Sequence, residues 1–170
     1  MWLGKFNPDK GVHEAILAAR QVGLPLILGG KIDSLEKEDL AYYQEKVEPY
    51  IDGKSVIYVG ELNDVQKNAY LGGAVAFLNP IQWNEPFGLT MVEAMACGTP
   101  VIAFAQGAAP EIVVDKTAGF LVKDVAEMAD AIGKANTIDR AACRRHVESM
   151  FSAEKMADNY EQAYKAMLAL

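Results

Sequence analysis

The sequence is short of several things. It has two cysteines in 170 residues, Cys97 and Cys143, and their spacing suits neither a metal site nor a redox pair. A disulfide scaffold is excluded and a reducing compartment is expected. Cys97, inside the apolar text AMACG, reads as a buried free thiol. No apolar run reaches the roughly 18–20 residues of a membrane-spanning helix, and the chain does not open on a basic, then apolar, signal region. A cytoplasmic domain, possessing no transmembrane segment, is the resulting expectation. Positive charge is scarce too, with 16 Lys and Arg against 23 Asp and Glu and a formal net charge of −7. Such a balance provides no broad footprint for nucleic acid or an anionic membrane, so any anionic ligand has to be held locally. The loops carry no clustered Asp, His or Cys at ligand spacing, so no metal is expected. The histidines, His13 and His146, fall in helical patterns away from the strand ends and read as surface residues rather than general bases.

What is present is a 51% apolar chain, enough for one sizeable core. Near-continuous apolar runs at residues 24–28, 56–59, 74–78 and 101–105, with weaker ones at 2–6 and 120–122, suit parallel strands covered on both faces. Between them, residues 12–22, 35–47, 65–71, 89–97, 125–136 and 140–150 follow helical spacing. A last helix follows Ser152, a good N-cap, and sets Met156, Tyr160, Tyr164 and Met167 on one stripe that should bind it back to a body. Strand and helix alternate without repeats or linkers, so residues 1–170 read as one doubly wound α/β domain. In such a sheet the ligand lies outside the carboxyl ends of the strands, which directs attention to the loops at 5–10, 29–30, 60–63, 79–88 and 106–111.

The most informative stretch is NPIQWNEPFGLTMVEAMACGTPVIAF, which runs from a buried strand through a loop and a helix into the next strand. Its helix is apolar nearly all round, with Thr90 and Glu93 the strongly polar positions. A carboxylate among Met91, Val92, Met95 and Ala96 costs several kcal/mol unless hydrogen-bonded or paired, so Glu93 wants a partner. A first-turn Glu offsetting the helix dipole is the plainer reading. The free amides of Phe87, Gly88, Leu89 and Thr90 offer a site for a phosphate or sugar hydroxyls, with Glu85 beside them or else merely solvated. A glycosidase pair made by the two carboxylates would have to face each other across a sugar, which spacing does not show. Trp83 either lines the same pocket or anchors its loop.

The text EPFGLTMVE, with seven residues between Glu85 and Glu93, followed by AMACGTPVIA, closely resembles the signature of the retaining family-four glycosyltransferases of the GT-B fold. Three further segments match in order: LGKFNPDKG the opening strand and its basic loop, VIYVGEL the base-binding strand end, and GAAPEIV the next loop. The resemblance implies a three-layer Rossmann-like parallel sheet flanked by helices, one half of a GT-B architecture. It implies the nucleotide-sugar-binding half, whose partner is an amino-terminal acceptor-binding domain that this chain lacks.

Residue by residue, the resemblance gives Glu93 the ribose hydroxyls and Glu85 the hydroxyls of the donor sugar, with the amides of Phe87 and Gly88. Leu89 and Thr90 face the distal phosphate, Gly60, Glu61 and Leu62 edge the base, and Glu111 stands near the sugar unless it caps the helix around Pro110. Lys5 and Lys10 neutralise the leaving diphosphate, the electrostatic part of a metal-independent transfer. Lys5 stands where the family often has Arg, and Ala108 where a second Gly is common. The implied donor is a UDP-, GDP- or ADP-sugar, with no tightly bound cofactor, and the implied reaction is transfer of a hexose-like group with retention. Two other readings compete: a donor-binding module inactive without its partner domain, and a nucleotide-sugar epimerase with Glu85 and Glu111 as its acid–base candidates. A flavodoxin-like domain would need acidic clusters or a Ser/Thr-rich phosphate loop after the first strand, and LGKFNPDKG has neither.

Overall fold

The apolar runs become strands and the amphipathic segments become helices in the computed structural model, which describes residues 1–169. In chain order these are β1 (Trp2–Leu3), α1 (Val12–Gln21), β2 (Leu26–Gly29), α2 (Lys37–Lys46), β3 (Val56–Tyr58), α3 (Asp64–Gly73), β4 (Phe77–Asn79) and α4 (Leu89–Ala96). There follow β5 (Val101–Phe104), α5 (Ala109–Ile112), β6 (Gly119–Val122), α6 (Val125–Lys134), α7 (Arg140–Met150) and α8 (Ala153–Leu168). Several helix starts are written in side chains. Asn63 and Gln66 form a reciprocal capping box at α3, and Asp124, Asp139 and Ser152 each accept a backbone N–H at the start of α6, α7 and α8.

All strand pairs are parallel, and they form two three-stranded sheets, β1-β2-β3 and β4-β5-β6. The sheets meet edge to edge at β1 and β4, where the Leu78 N–H donates to the Met1 carbonyl at 2.8 Å and the Met1 amine donates to the Ala76 carbonyl at 2.8 Å. The spatial order is thus β3-β2-β1-β4-β5-β6, reversing direction between β1 and β4. The single ladder that the alternation predicts is interrupted there because β1 is two residues long.

Along β5, Val101 and Ala103 point into one core and Ile102 and Phe104 into the other. This is the period-2 alternation of a strand buried on both faces. One core joins α1, α2 and α6 to β2 through Ile16, Tyr43, Met128, Leu26 and Leu28, and the other joins α3, α4, α5 and α7 through Leu71, Met91, Met95, Ile112 and Val147. Each such side chain stabilises by about 1.5–3 kcal/mol, and together they make the three layers.

Four expectations change. The strands begin later than the runs at 24–28 and 74–78, because Leu24 and Val75 are exposed at the amino ends of the sheet. There they lie beside an apolar hollow also lined by Ile27, Ala76 and Ile132. Cys97 is half-buried, its thiol 3.8 Å from Asn68, and Cys143 is the buried thiol. Neither histidine is a free surface group: His146 Nε2 lies 2.8 Å from the Ile112 carbonyl and packs on Phe151, and His13 packs on Tyr50. Finally, α8 does not dock. None of its described residues is buried, and Met156, Tyr160 and Tyr164 are each more than half exposed, so the stripe has no partner within this body.

Candidate functional site

The site lies where the strand order reverses, between the loop after β1 and the loop after β4. The first loop turns at once. Asn7 caps a single 3-10 turn at Pro8–Lys10, and Gly11, at φ 66°, ends it and starts α1. Trp2 donates its indole N–H to the Lys10 carbonyl at 3.1 Å, fixing that turn over the strand end. The second loop is held from both sides. Its Gln82 N–H donates to the Asp9 carbonyl at 2.7 Å, and its Glu85 carbonyl accepts from the Ala108 N–H at 2.9 Å. Gly107 makes the latter approach feasible: a Cβ there would fall 2.6 Å from the Glu85 nitrogen. The GAAPEIV segment therefore supports Glu85 through its backbone.

The loop ends at Gly88, at φ 81°, where α4 begins with no side-chain cap. Its first amides are therefore free to meet a ligand. Leu89 is exposed at the helix start, Thr90 half-buried behind it, and Phe87 exposed with its edge on Phe151.

Ion pairs organise the side chains. Lys10 Nζ lies 2.5 Å from Glu85 Oε2 and also sits over the Trp83 ring, 5.3 Å from its centroid. Lys67 of α3 lies 2.6 Å from Glu93 Oε1 and 3.3 Å from Asp64. Its pKa is raised, chiefly by the hydrogen bond to Glu93. Lys5 lies 2.6 Å from Asp39 and 3.4 Å from Asp33, and its pKa is raised chiefly by the Asp39 hydrogen bond. Glu93 thus has the partner that its apolar helix demands, and that partner is a residue sequence reasoning missed. A carboxylate in such a helix signals that a cation is near, but nothing in the spacing of Lys67 says that α3 will lie against α4. Lys31, Asp33 and Asp39 were missed for the same reason.

Two adjoining clefts result. One is lined by Gly4, Lys10, Asn79, Glu85, Gly88 and Thr90, the other by Gly4, Lys5, Glu61, Lys67, Thr90 and Glu93. The structure therefore brings Lys10, Glu85, Gly88, Leu89 and Thr90 around one cleft, and Lys5, Glu61, Leu62 and Glu93 around the other. Gly60 stands just behind the second, its carbonyl accepting from the Gly30 N–H at 2.9 Å. Phe87 and Glu111 line neither cleft. Glu111 is exposed on α5 and does not cap it, because α5 starts one residue before Pro110 with Ala108 at its N-cap. Among the described residues, no three His, Cys, Asp or Glu converge as metal ligands, and no helix is long and apolar enough to cross a membrane.

The family model for glycosyl transferases group 1 matches residues 1–162. The D-inositol 3-phosphate glycosyltransferase of Mycobacteroides abscessus is 30% identical over 179 residues, covering 99% of this chain and 39% of that protein. The crystal structure of sucrose-phosphate synthase from Thermosynechococcus elongatus superposes with a TM-score of 0.81 at 31% identity, over 99% of this chain and 45% of that one. HepE of Anabaena, solved in complex with UDP-glucose, superposes at 0.76 with 23% identity, over 99% and 49% of the two chains. The chain spans about half the length, or less, of the curated relatives it matches.

Proposed function

Since the chain belongs to the glycosyl transferases group 1 family, we propose that it is the donor-binding half of a two-domain GT-B transferase. In this reading it holds a nucleoside-diphosphate sugar across the two clefts. The observation that carries the proposal is the pairing of two lysine–carboxylate couples, Lys10 with Glu85 and Lys67 with Glu93, on either side of the uncapped start of α4. The sugar lies in the cleft of Glu85 and the nucleoside in the cleft of Glu93. The diphosphate bridges them over Gly4 and the free amides of α4, where the helix dipole favours negative charge. UDP-glucose bound to HepE supports this class of ligand.

The chemistry follows from the side chains. Glu85 accepts hydrogen bonds from sugar hydroxyls and so orients the anomeric carbon. Lys5 and Lys10 stabilise the charge that grows on the leaving diphosphate, a role that requires their present carboxylate partners to yield them. Glu85, the carboxylate lining the sugar cleft among the described residues, is engaged with the sugar hydroxyls in this reading, so transfer proceeds by same-face displacement in which the leaving phosphate takes the acceptor proton, with retention. Gly60, Glu61 and Leu62 edge the base. The acceptor meets an amino-terminal domain, in line with the larger size of the relatives.

Titration calorimetry of the chain with UDP, GDP, ADP and their glucose and mannose conjugates tests the reading. Saturable binding of one base is expected, weakened about tenfold or more in Glu93→Ala, since each lost hydrogen bond to a charged group is worth about 1.5–3 kcal/mol. A folded chain that binds none of the three would sink the proposal.

A further inference from the structure

Lys67 lines the second cleft and, like Lys31 beside it, is assigned by neither the motif text nor the family resemblance, but it is the one of the two that engages Glu93. It rises from the first turn of α3, part-buried, and reaches across to α4, where its ammonium engages Oε1 of Glu93 at 2.6 Å. Among the described residues, Glu93 Oε2 accepts no hydrogen bond. The carboxylate is therefore held by one oxygen, and both residues line the same cleft. A carboxylate has about four lone-pair sites. Occupying one with a fixed cation leaves a preorganised acceptor for a vicinal diol.

We propose that Lys67 is a positioning residue that holds the Glu93 carboxylate in the orientation that accepts the ribose hydroxyls, so that the site separates ribonucleotides from deoxyribonucleotides. This rests on the reading of Glu93 as the ribose ligand. Three observations support it. Met91, Val92, Ala94 and Met95 around Glu93 are apolar and buried, and Thr90, the other polar side chain of α4 at this cleft, makes no hydrogen bond to Glu93 among the described residues. The second partner of Lys67, Asp64, has a side chain 92% exposed and cannot hold the lysine rigidly. The pKa of Lys67 is raised, and the first cause is the Glu93 hydrogen bond, as expected of a close ion pair. Lys67 thus acts through Glu93 and needs no contact with the ligand.

The test measures the affinity ratio between the ribonucleoside diphosphate that binds best among UDP, GDP and ADP and its 2′-deoxy form. It compares the parent chain, Lys67→Met, Lys67→Arg and Glu93→Gln by calorimetry, with thermal unfolding recorded for each. Lys67→Met should cut the ribo-to-deoxy preference about tenfold, Lys67→Arg should keep most of it, and Glu93→Gln should abolish it. Equal loss for both ligands in Lys67→Met, or no loss, overturns the role of Lys67 while leaving Glu93 as the ribose ligand. A lowered melting temperature with an unchanged ratio means a brace between α3 and α4 and overturns it too. If the parent binds no nucleotide, or Glu93→Gln keeps the preference, the reading of Glu93 itself fails.

Discussion

Lys5 stands in the site already occupied, 2.6 Å from Asp39 and 3.4 Å from Asp33. The carboxyl of Asp33 is itself held below its ordinary range, chiefly by the backbone N–H of Leu35, so this partner stays charged. An arriving diphosphate has to compete with two carboxylates for one ammonium. In Asp39→Asn that competition weakens, and affinity for the nucleoside diphosphate should rise about two- to fivefold at low salt, a gain that fades as screening increases. Calorimetry at two ionic strengths checks it; unchanged or weaker binding would mean that Lys5 does not face the phosphates. The residue scale also explains which site members were legible. Glu93 stands out because a carboxylate in an apolar helix wants a partner, and Glu85, which by itself would pass for a solvated loop residue, because it lies beside the free amides at that helix start. Lys5 and Lys10 look like ordinary loop lysines, and only the family resemblance singles them out. Lys67 carries no mark at all, because its significance is a distance to another helix.

Among the elements, the turn into β3 shows how a strand is aimed at the site. Asp52 accepts from the backbone N–H groups of Lys54, Ser55 and Val56 at 2.8, 2.7 and 3.1 Å. These bonds, that of Lys54 first, pull its carboxyl down to about 2. Because the folded value is lower than the unfolded one near 3.8, the stabilisation is present above that unfolded value and is lost as pH falls through about 2. Asp52→Ala should unfold at lower urea than the parent at pH ~7, and the gap between them should close as pH is taken toward ~2. A gap that persists in acid would put the effect in packing. Element identity was legible from periodicity almost everywhere, since a doubly covered strand reads as an unbroken apolar run and a half-buried helix as a stripe. Element ends were less so. The runs at 24–28 and 74–78 overshoot because apolar residues that line a hollow look the same in sequence as those in a strand.

At the scale of the whole molecule, α8 stands apart. Its Met156, Tyr160, Tyr164 and Met167 are 58–71% exposed, although their spacing marks a face made for packing. With no described residue of α8 buried, removing residues 153–170 should lower the unfolding free energy of the remaining chain by less than about 1 kcal/mol. Urea unfolding of the shortened and full chains decides this, and a loss of several kcal/mol would show that the stripe is seated on the body after all. The sequence by itself determined the class of the fold, the order of its elements and the segment that carries the chemistry. Each of these is a local matter of periodicity, capping and motif text. Only the tertiary structure decided that two three-stranded sheets meet at β1 and β4, that Lys67 faces Glu93 and Asp39 faces Lys5, and that α8 is left unpacked. These are contacts between residues 26, 34 and more positions apart, and their partners are chosen by how the layers close over one another, which no local pattern encodes.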